Sequence, residues 1–151
     1  ALETGVVKRY ITDFGTEDLL NKPNVTVFPH VGGSTGEAEL NCAIMAGQTI
    51  RRFMETGEIV NSVNFPRVQQ ALSAPYRITL INKNVPNIVA RISTAVSDFN
   101  INIDNIINRS KGDYAYTLLD LDETDKSKID ELVAKFEASD NIVRVRLIKG
   151  K

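Results

Sequence analysis

This sequence has few of the residues that usually announce a site. It contains one cysteine, Cys42, and one histidine, His30. A single cysteine excludes an intrachain disulfide and a cysteine-built metal cluster, and it suits a reducing cytoplasm. There is no excess of positive charge either: 18 Lys and Arg stand against 19 Asp and Glu, for a net charge of −1. That balance argues against a domain held to nucleic acid by phosphate contacts. No apolar run approaches the roughly 20 residues that span a bilayer. The opening ALETGVVKRY lacks the basic start and apolar core of a signal peptide. No repeat and no low-complexity tract is present. The expectation is a soluble, cytoplasmic chain without membrane or nucleic-acid partners or a resident metal. Lacking an initiator Met, it is expected to begin inside a longer protein.

What is there suits a globular protein: 151 residues, 42% hydrophobic and 25% charged. That length holds one ordinary domain, or a small one with extra segments. Val6 to Phe14 (VVKRYITDF) is β-branched and aromatic and reads as a strand ending at Asp13-Phe14-Gly15. Val25 to Phe28 (VTVF) reads as a second short strand of the buried parallel kind. Between Phe28 and the next helix stands PHVGGST, with His30 at its start. Ser34-x-x-Glu37 fits a capping box, with a helix expected from Thr35 to Thr56 and Gly57 placed to stop it. EIVNSVNFP looks extended, and RVQQALSAP is a plausible linker.

From Tyr76 the pattern is clearer. YRITLIN alternates, with Ile78 and Leu80 on one face. Pro86 suits the first position of a helix running to about Phe99, with Asn84 a credible cap before it. NINIDNIINRS alternates again, KGD is a hairpin turn, and YAYTLLDLD returns as a strand. TDKSKIDELVAKFEAS is an amphipathic helix carrying Ile129, Leu132, Val133 and Phe136 on one stripe. NIVRVRLIKG closes as a strand, with Val143, Val145 and Leu147 inward and Arg144 and Arg146 outward. The order β-α-β-β-α-β is the ferredoxin-like arrangement.

That topology assigns no function by itself, so three readings stay open. KGDYAYTL lies near the signature of an RNA-binding strand whose aromatics stack on bases. However, ITLIN offers no second aromatic platform, and the acids Asp120, Asp122 and Glu123 would repel phosphate. A second reading is a small-molecule regulatory module. Asn82, Asn84 and Asn102 fall at strand ends expected to be neighbours, and their amides suit a small polar amino acid. Against this, asparagine is common in turns and caps for purely local reasons. The third reading is pure oligomerisation through sheet edges.

LINKNVPNIVARISTAVSDFNINIDNI resembles the opening of an ACT domain, the amino-acid-sensing module of metabolic enzymes. The likeness lies in the short strand, the Asn-x-Pro-x-Ile/Val helix start and the Asn-Ile after the helix. It implies effector binding, with L-serine held across a two-fold interface by Asn82, Asn84 and Asn102, and it implies pairing of ACT sheets between copies. Asn84 and Asn102 match the residue types of such sites. Asn82 stands where a histidine is common, and Asn87 where glycine is.

A histidine beside a strand end is often structural, but its neighbours here are distinctive. VTVFPHVGGSTGEAE, followed later by NSVNFP, resembles the end of the catalytic region of D-3-phosphoglycerate dehydrogenases, in the D-2-hydroxyacid dehydrogenase family. The likeness runs over roughly residues 5 to 66 and continues into the ACT region. It implies oxidation of D-3-phosphoglycerate with NAD as cofactor. By that resemblance His30 is the acid/base, and an imidazole's ordinary pKa of about 6.5 suits proton exchange near neutrality. Glu17 is the nearest candidate for the carboxylate that orients it. Asp13 matches the strand-end Asp at the carboxamide end of NAD, with Val31, Gly32 and Gly33 lining the cofactor beside His30. Gly32 and Gly33 also read simply as a tight turn.

The Gly-x-Gly-x-x-Gly turn that cradles dinucleotide phosphates is absent, as is the family's substrate-binding arginine. The expected fold class is therefore α+β: a C-terminal ferredoxin-like βαββαβ (ACT) domain, preceded by an incomplete α/β Rossmann remnant and a long helix. The expected division is residues 1–33, terminal strands of an NAD-binding domain; 34–75, the helix and extended link; and 76–151, the regulatory domain. The chain is expected to be the C-terminal portion of a longer dehydrogenase and to be inactive alone.

Overall fold

A computed structural model describes residues 1–150. Its elements run β1 (Tyr10–Thr12), β2 (Val25–Val27), α1 (Gly36–Thr56), β3 (Tyr76–Lys83), α2 (Ile88–Ser97), β4 (Asn102–Lys111), β5 (Tyr114–Asp122), α3 (Lys126–Glu137) and β6 (Ile142–Lys149). The chain divides into two compact units, one from Ala1 to Ile44 and one from Met45 onward.

In the second unit the order β3-α2-β4-β5-α3-β6 is the expected βαββαβ. The four strands lie β4-β5-β3-β6 with every neighbouring pair antiparallel. Alternation along β3 and β5 explains why the sheet has two faces. Ile78, Leu80, Leu119 and Leu121 point to one side and pack under α2 and α3 with Ile88, Ile92, Val96, Ile129, Leu132 and Phe136. The opposite face carries Tyr116 and Leu118, covered by Ile59 and Val68 from the stretch that follows α1. That stretch was expected to be a plain link. Instead it turns back on itself, with Ile59 and Val68 exchanging backbone hydrogen bonds at 2.8 and 3.0 Å. Its apolar residues would otherwise lie on solvent, and burying them closes the second face of the sheet.

The expected arginine–valine alternation in β6 holds only in part. The register shifts between Ile81 and Asn82, so Ile81 pairs with Arg144 while Asn82 pairs with Ile142. Val143 is the extra residue of a bulge and is exposed, whereas Val145 and Leu147 pack on the core.

The starts of two helices, α1 and α2, differ from the expected local chemistry. Thr35, rather than Ser34, caps α1: its hydroxyl accepts from the Ala38 N–H at 3.1 Å, which moves the expected capping pattern by one residue. Pro86 lies in a turn before α2, and Asn87, in the left-handed conformation, precedes the helix without a side-chain bond. Asparagine tolerates that conformation better than other side-chain-bearing residues. Gly57 ends α1 as expected, at φ +70, with its N–H on the Phe53 carbonyl at 2.9 Å. A Cβ there would lie 2.5 Å from Thr79 Cγ2.

The first unit is built differently. β1 and β2 form a two-stranded parallel ribbon. The strand expected over Val6 to Phe14 is only three residues long here. β2 was expected to be buried, yet Thr26 is exposed and Val25 and Val27 are half-covered. A parallel ladder gains stability from neighbouring strands and from layers on both faces, and this ribbon has one partner per strand.

Candidate functional site

The first unit brings His30 to the carboxyl ends of the two parallel strands. Thr12 pairs with Val27, and the Phe28 N–H reaches the Thr12 carbonyl at 3.1 Å. The Thr12 hydroxyl accepts from the Phe14 N–H at 3.0 Å and bends the chain at Asp13. Asp13-Phe14 and Phe28-Pro29-His30 therefore leave the ribbon side by side. His30 Nδ1 stands 2.8 Å from Asp13 Oδ2. The Phe14 ring lies 4.5 Å from the imidazole, tilted by 47°. A carboxylate at Nδ1 and an aromatic wall fix the ring and leave Nε2 free to exchange a proton. The strand ends of α/β sheets are where such chemistry usually sits.

Of the residues singled out around His30, Asp13 is thus brought to it. Glu17 lies in the exposed turn after β1 and makes no ion pair with the histidine. Val31 is exposed, and no atom outside their own chain neighbours lies within 4 Å of a Cβ built on Gly32 or Gly33. The backbone there is open to close approach. The turn itself is held by Val31 N–H on the Pro29 carbonyl at 2.9 Å and Ser34 N–H on the Val31 carbonyl at 3.0 Å.

The three asparagines of the second unit are not equivalent. Asn82 is fully buried. Its Oδ1 accepts from the Thr117 hydroxyl at 2.8 Å, its Nδ2 donates to the Lys83 carbonyl at 3.0 Å, and Asn108 Nδ2 donates to Thr117 Oγ1 at 2.7 Å. This polar ladder crosses β3, β5 and β4, and its members satisfy one another. Asn84 is exposed on the loop after β3, its amide donating to the Gly112 carbonyl at 3.0 Å. Asn102 is exposed at the start of β4, opposite Asp122. Asn82 faces Ala115 on the same strand β5, so seven residues, roughly 24 Å of strand, separate the two positions. β3 and β4 run in the same direction, so the end of one and the start of the other are at opposite ends of the sheet. The expectation that these asparagines are neighbours fails within a single chain.

Two arginines that the sequence did not single out hold the second face together. Arg77 and Asp120 are both fully buried in a two-pronged pair, Nε to Oδ1 at 2.5 Å and Nη2 to Oδ2 at 2.7 Å. Arg77 Nη1 donates to the carbonyls of Thr56 and Gln70, each at 2.8 Å, and Nη2 to that of Ala71 at 3.0 Å. All five guanidinium donors are used, and they tie the end of α1 and the following stretch to the sheet. Arg146 donates to the carbonyls of Phe53 and Met54 and stacks over the Phe53 ring. Asp120, one of the acids expected to repel phosphate, is therefore buried and paired. Opposite-charge residues at facing, inward positions of β3 and β5 were the available signal. Burial pushes the Tyr116 hydroxyl's pKa up, against the smaller opposing effect of Thr79 and of Arg146 and Arg77. The phenol donates to the Gly57 carbonyl at 2.6 Å, and the ring is buried against Ile59 and Val68, so it offers no stacking surface.

Among the described residues no group of three or more His, Cys, Asp or Glu could hold a metal ion, and no helix is long and apolar enough to cross a membrane. Cys42 is free and exposed on α1.

The chain is similar to curated D-3-phosphoglycerate dehydrogenases. Enzyme 2 of Saccharomyces cerevisiae is 31% identical over 139 residues, the match taking 88% of this chain and 29% of that protein. The enzymes of Dictyostelium discoideum and Escherichia coli are 30% and 26% identical, and this chain spans 31% and 32% of their lengths. The chain thus covers about three tenths of the curated relatives it matches. No family model matches it. Among solved structures, the ACT domain of a Chlorobium tepidum GTP pyrophosphokinase is 18% identical with a TM-score of 0.44, covering 48% of this chain and 95% of that one. A Thiobacillus denitrificans homoserine dehydrogenase is 20% identical with a TM-score of 0.45, over 60% of this chain and 20% of that one.

Proposed function

We propose that this chain is the C-terminal portion of an NAD-dependent D-3-phosphoglycerate dehydrogenase, opening L-serine biosynthesis in the cytoplasm and carrying an ACT-type regulatory domain. One observation carries the reading: the match takes 88% of the chain. The uncovered remainder, about 18 of the 151 residues, is too short to reach from Ala1 to His30. The likeness therefore includes both the histidine turn and most of the βαββαβ sheet.

The chemistry assigned to this chain is proton transfer. Oxidising a secondary alcohol needs a base for the hydroxyl proton, and NAD, when bound, supplies the hydride acceptor. What supports His30 in that role is an imidazole held at Nδ1 by the Asp13 carboxylate, next to the ends of β1 and β2. Asp13 is the better supported positioning carboxylate, because it is within hydrogen-bond reach and Glu17 is not. The open backbone at Gly32 and Gly33, beside Val31 and Asp13, fits the nicotinamide end of the cofactor. The glycine-rich turn that would cradle its phosphates is absent from the 151 residues. These 151 residues alone are accordingly expected to leave NAD unreduced.

For the regulatory domain the reading is L-serine binding between two copies. Asn84 and Asn102 lie at opposite ends of one sheet, and a two-fold pairing that places one chain's loop after β3 beside the partner's β4 start would unite them. Asn82 then acts from beneath, through Thr117, instead of touching the effector. The alternative is an oligomerisation and amino-acid-binding module without catalysis. Exposed edges at β4 and β6 suit pairing under either reading.

The test uses the longer natural protein and this 151-residue chain side by side. NAD reduction with D-3-phosphoglycerate by the longer protein, at least about a hundredfold slower in His30→Gln, is the expected result. Reduction by the 151 residues alone would overturn the assignment of the cofactor's phosphate site to other residues. L-serine is expected to raise the melting temperature of the sheet domain, with the shift lost in Asn84→Ala. No shift with millimolar serine would remove the effector and leave the oligomer.

A further inference from the structure

We propose that the cleft beside the C-terminal half of α1, lined by Arg51, Arg52 and Arg67, binds a small multivalent oxyanion of the phosphate kind. The cleft has a volume of about 570 Å³ and is also lined by Thr49 and Asn61. It lies wholly within the second unit, and nothing in the proposed dehydrogenase chemistry uses it.

The three guanidiniums come from two separate pieces of chain, α1 and the stretch that turns back over the sheet. Their donors are largely unspent. Arg51 is ion-paired with Glu55, Nε to Oε2 at 3.9 Å, and Arg52 with Glu58, Nε to Oε2 at 3.6 Å, both too long for hydrogen bonds and so leaving every guanidinium N–H of the two unspent. Arg67 spends only its Nε, on Gln69 Oε1 at 2.5 Å. The terminal amino groups of all three remain without hydrogen-bond partners among the described residues. Glu58, one of the two acids lining the cleft, is already engaged by the Gln70 N–H at 2.7 Å.

Basic residues near a helix C-terminus have an ordinary explanation, the attraction of the last carbonyls. That requirement is met here by other residues. Arg146 takes the carbonyls of Phe53 and Met54, and Arg77 takes that of Thr56. Arg51, Arg52 and Arg67 are surplus to it. They also leave the cleft net positive in a chain whose total charge is −1. Planar forks with free terminal amino groups match tetrahedral oxyanions in pairs, and a ligand with several oxygens can engage more than one fork at once. Thr49 and Asn61 add neutral donors at the rim.

The experiment is a calorimetric titration of the intact protein with inorganic phosphate and with pyrophosphate, at constant ionic strength. Saturable one-to-one binding is expected, tighter for pyrophosphate. The Arg52→Gln/Arg67→Gln variant should weaken it at least about tenfold, while Arg91→Gln on α2 should leave it unchanged. Equal weakening by Arg91→Gln would mean general charge attraction and would overturn the proposal, as would the absence of saturable heat. Arg67→Gln alone guards against a misfolded double variant, because Arg67 contributes only a local bond to Gln69. Unaltered binding in that folded variant also overturns the site.

Discussion

The two units of this chain carry similar apolar patterns and do very different things with them. From Met45 onward, Ile78, Leu80, Leu118, Leu119, Leu121, Ile129 and Leu132 have no solvent exposure. Before it, Val6, Ile11, Phe14 and Val31 are more than half exposed, and only Thr12 is buried. A strand pattern is a statement about one face or two, and it becomes a strand only as far as there are neighbours to pair and layers to cover it. The six elements of the second unit supply both for one another. The two short strands of the first supply one ladder and no layer. What the first unit does hold firmly is local: the Thr12 turn, the Asp13 to His30 contact, and the Thr35 cap.

The comparison can be broken most forcefully at the Arg77–Asp120 pair. Asp120→Ala leaves a buried guanidinium without its carboxylate and should cost about 3–5 kcal/mol, read from the denaturant midpoint of the second unit's unfolding. A cost below about 1 kcal/mol would mean that the pair is not buried as described. Next comes packing: Leu80→Ala should cost about 2–5 kcal/mol, whereas Phe14→Ala in the first unit should change stability by less than about 0.5 kcal/mol. Similar losses for the two would erase the distinction between the units. Gly57→Ala should follow, at about 1–3 kcal/mol, because φ is +70 and the new Cβ meets Thr79. Circular dichroism melts of the variant provide the measurement.

The smallest expected effect is electrostatic. Glu123 has its carboxyl pKa lowered from 4.5 to about 2, first by the Asp125 N–H, then by the Lys128 ammonium and the Thr124 N–H. A carboxylate held lower in the folded state stabilises it above the unfolded value and ceases to do so as pH falls from about 4.5 toward 2. Glu123→Gln should therefore flatten the acid limb of the stability curve over that window, slightly lowering stability at neutral pH and leaving it unchanged below about pH 2. An identical acid limb in the variant would show that the carboxylate is not anchored ahead of α3.

Much of the second unit was legible because period-2 and period-3.6 patterns there are regular and each segment has its stop signal. The six elements and their order follow from Ile78/Leu80, the Ile129–Phe136 stripe and the KGD turn. Bulges were not legible: one extra residue at Val143 or Asp104 changes which side chain faces the core without altering the composition. The His30 turn was found through its glycines and cap. Glu17 is the nearest candidate for its orienting carboxylate by resemblance alone, and position along the chain says little about which carboxylate ends nearest in space. Parallel pairing of β1 with β2 brings Asp13 there instead.

By itself, then, the amino-acid order determined which stretches are helix or strand in the second unit, where His30 stands, and the likeness to dehydrogenases with a regulatory domain. Those depend on near neighbours along the chain, on hydrophobic period and on motif. Only the tertiary structure decided that Asn82 is buried under Thr117 while Asn84 and Asn102 lie at opposite ends of the sheet. It also decided that Arg77 and Asp120 neutralise each other inside, and that three further arginines meet around one cleft. Each of these depends on the register and direction of strands far apart in sequence, which long-range packing sets and no local pattern encodes.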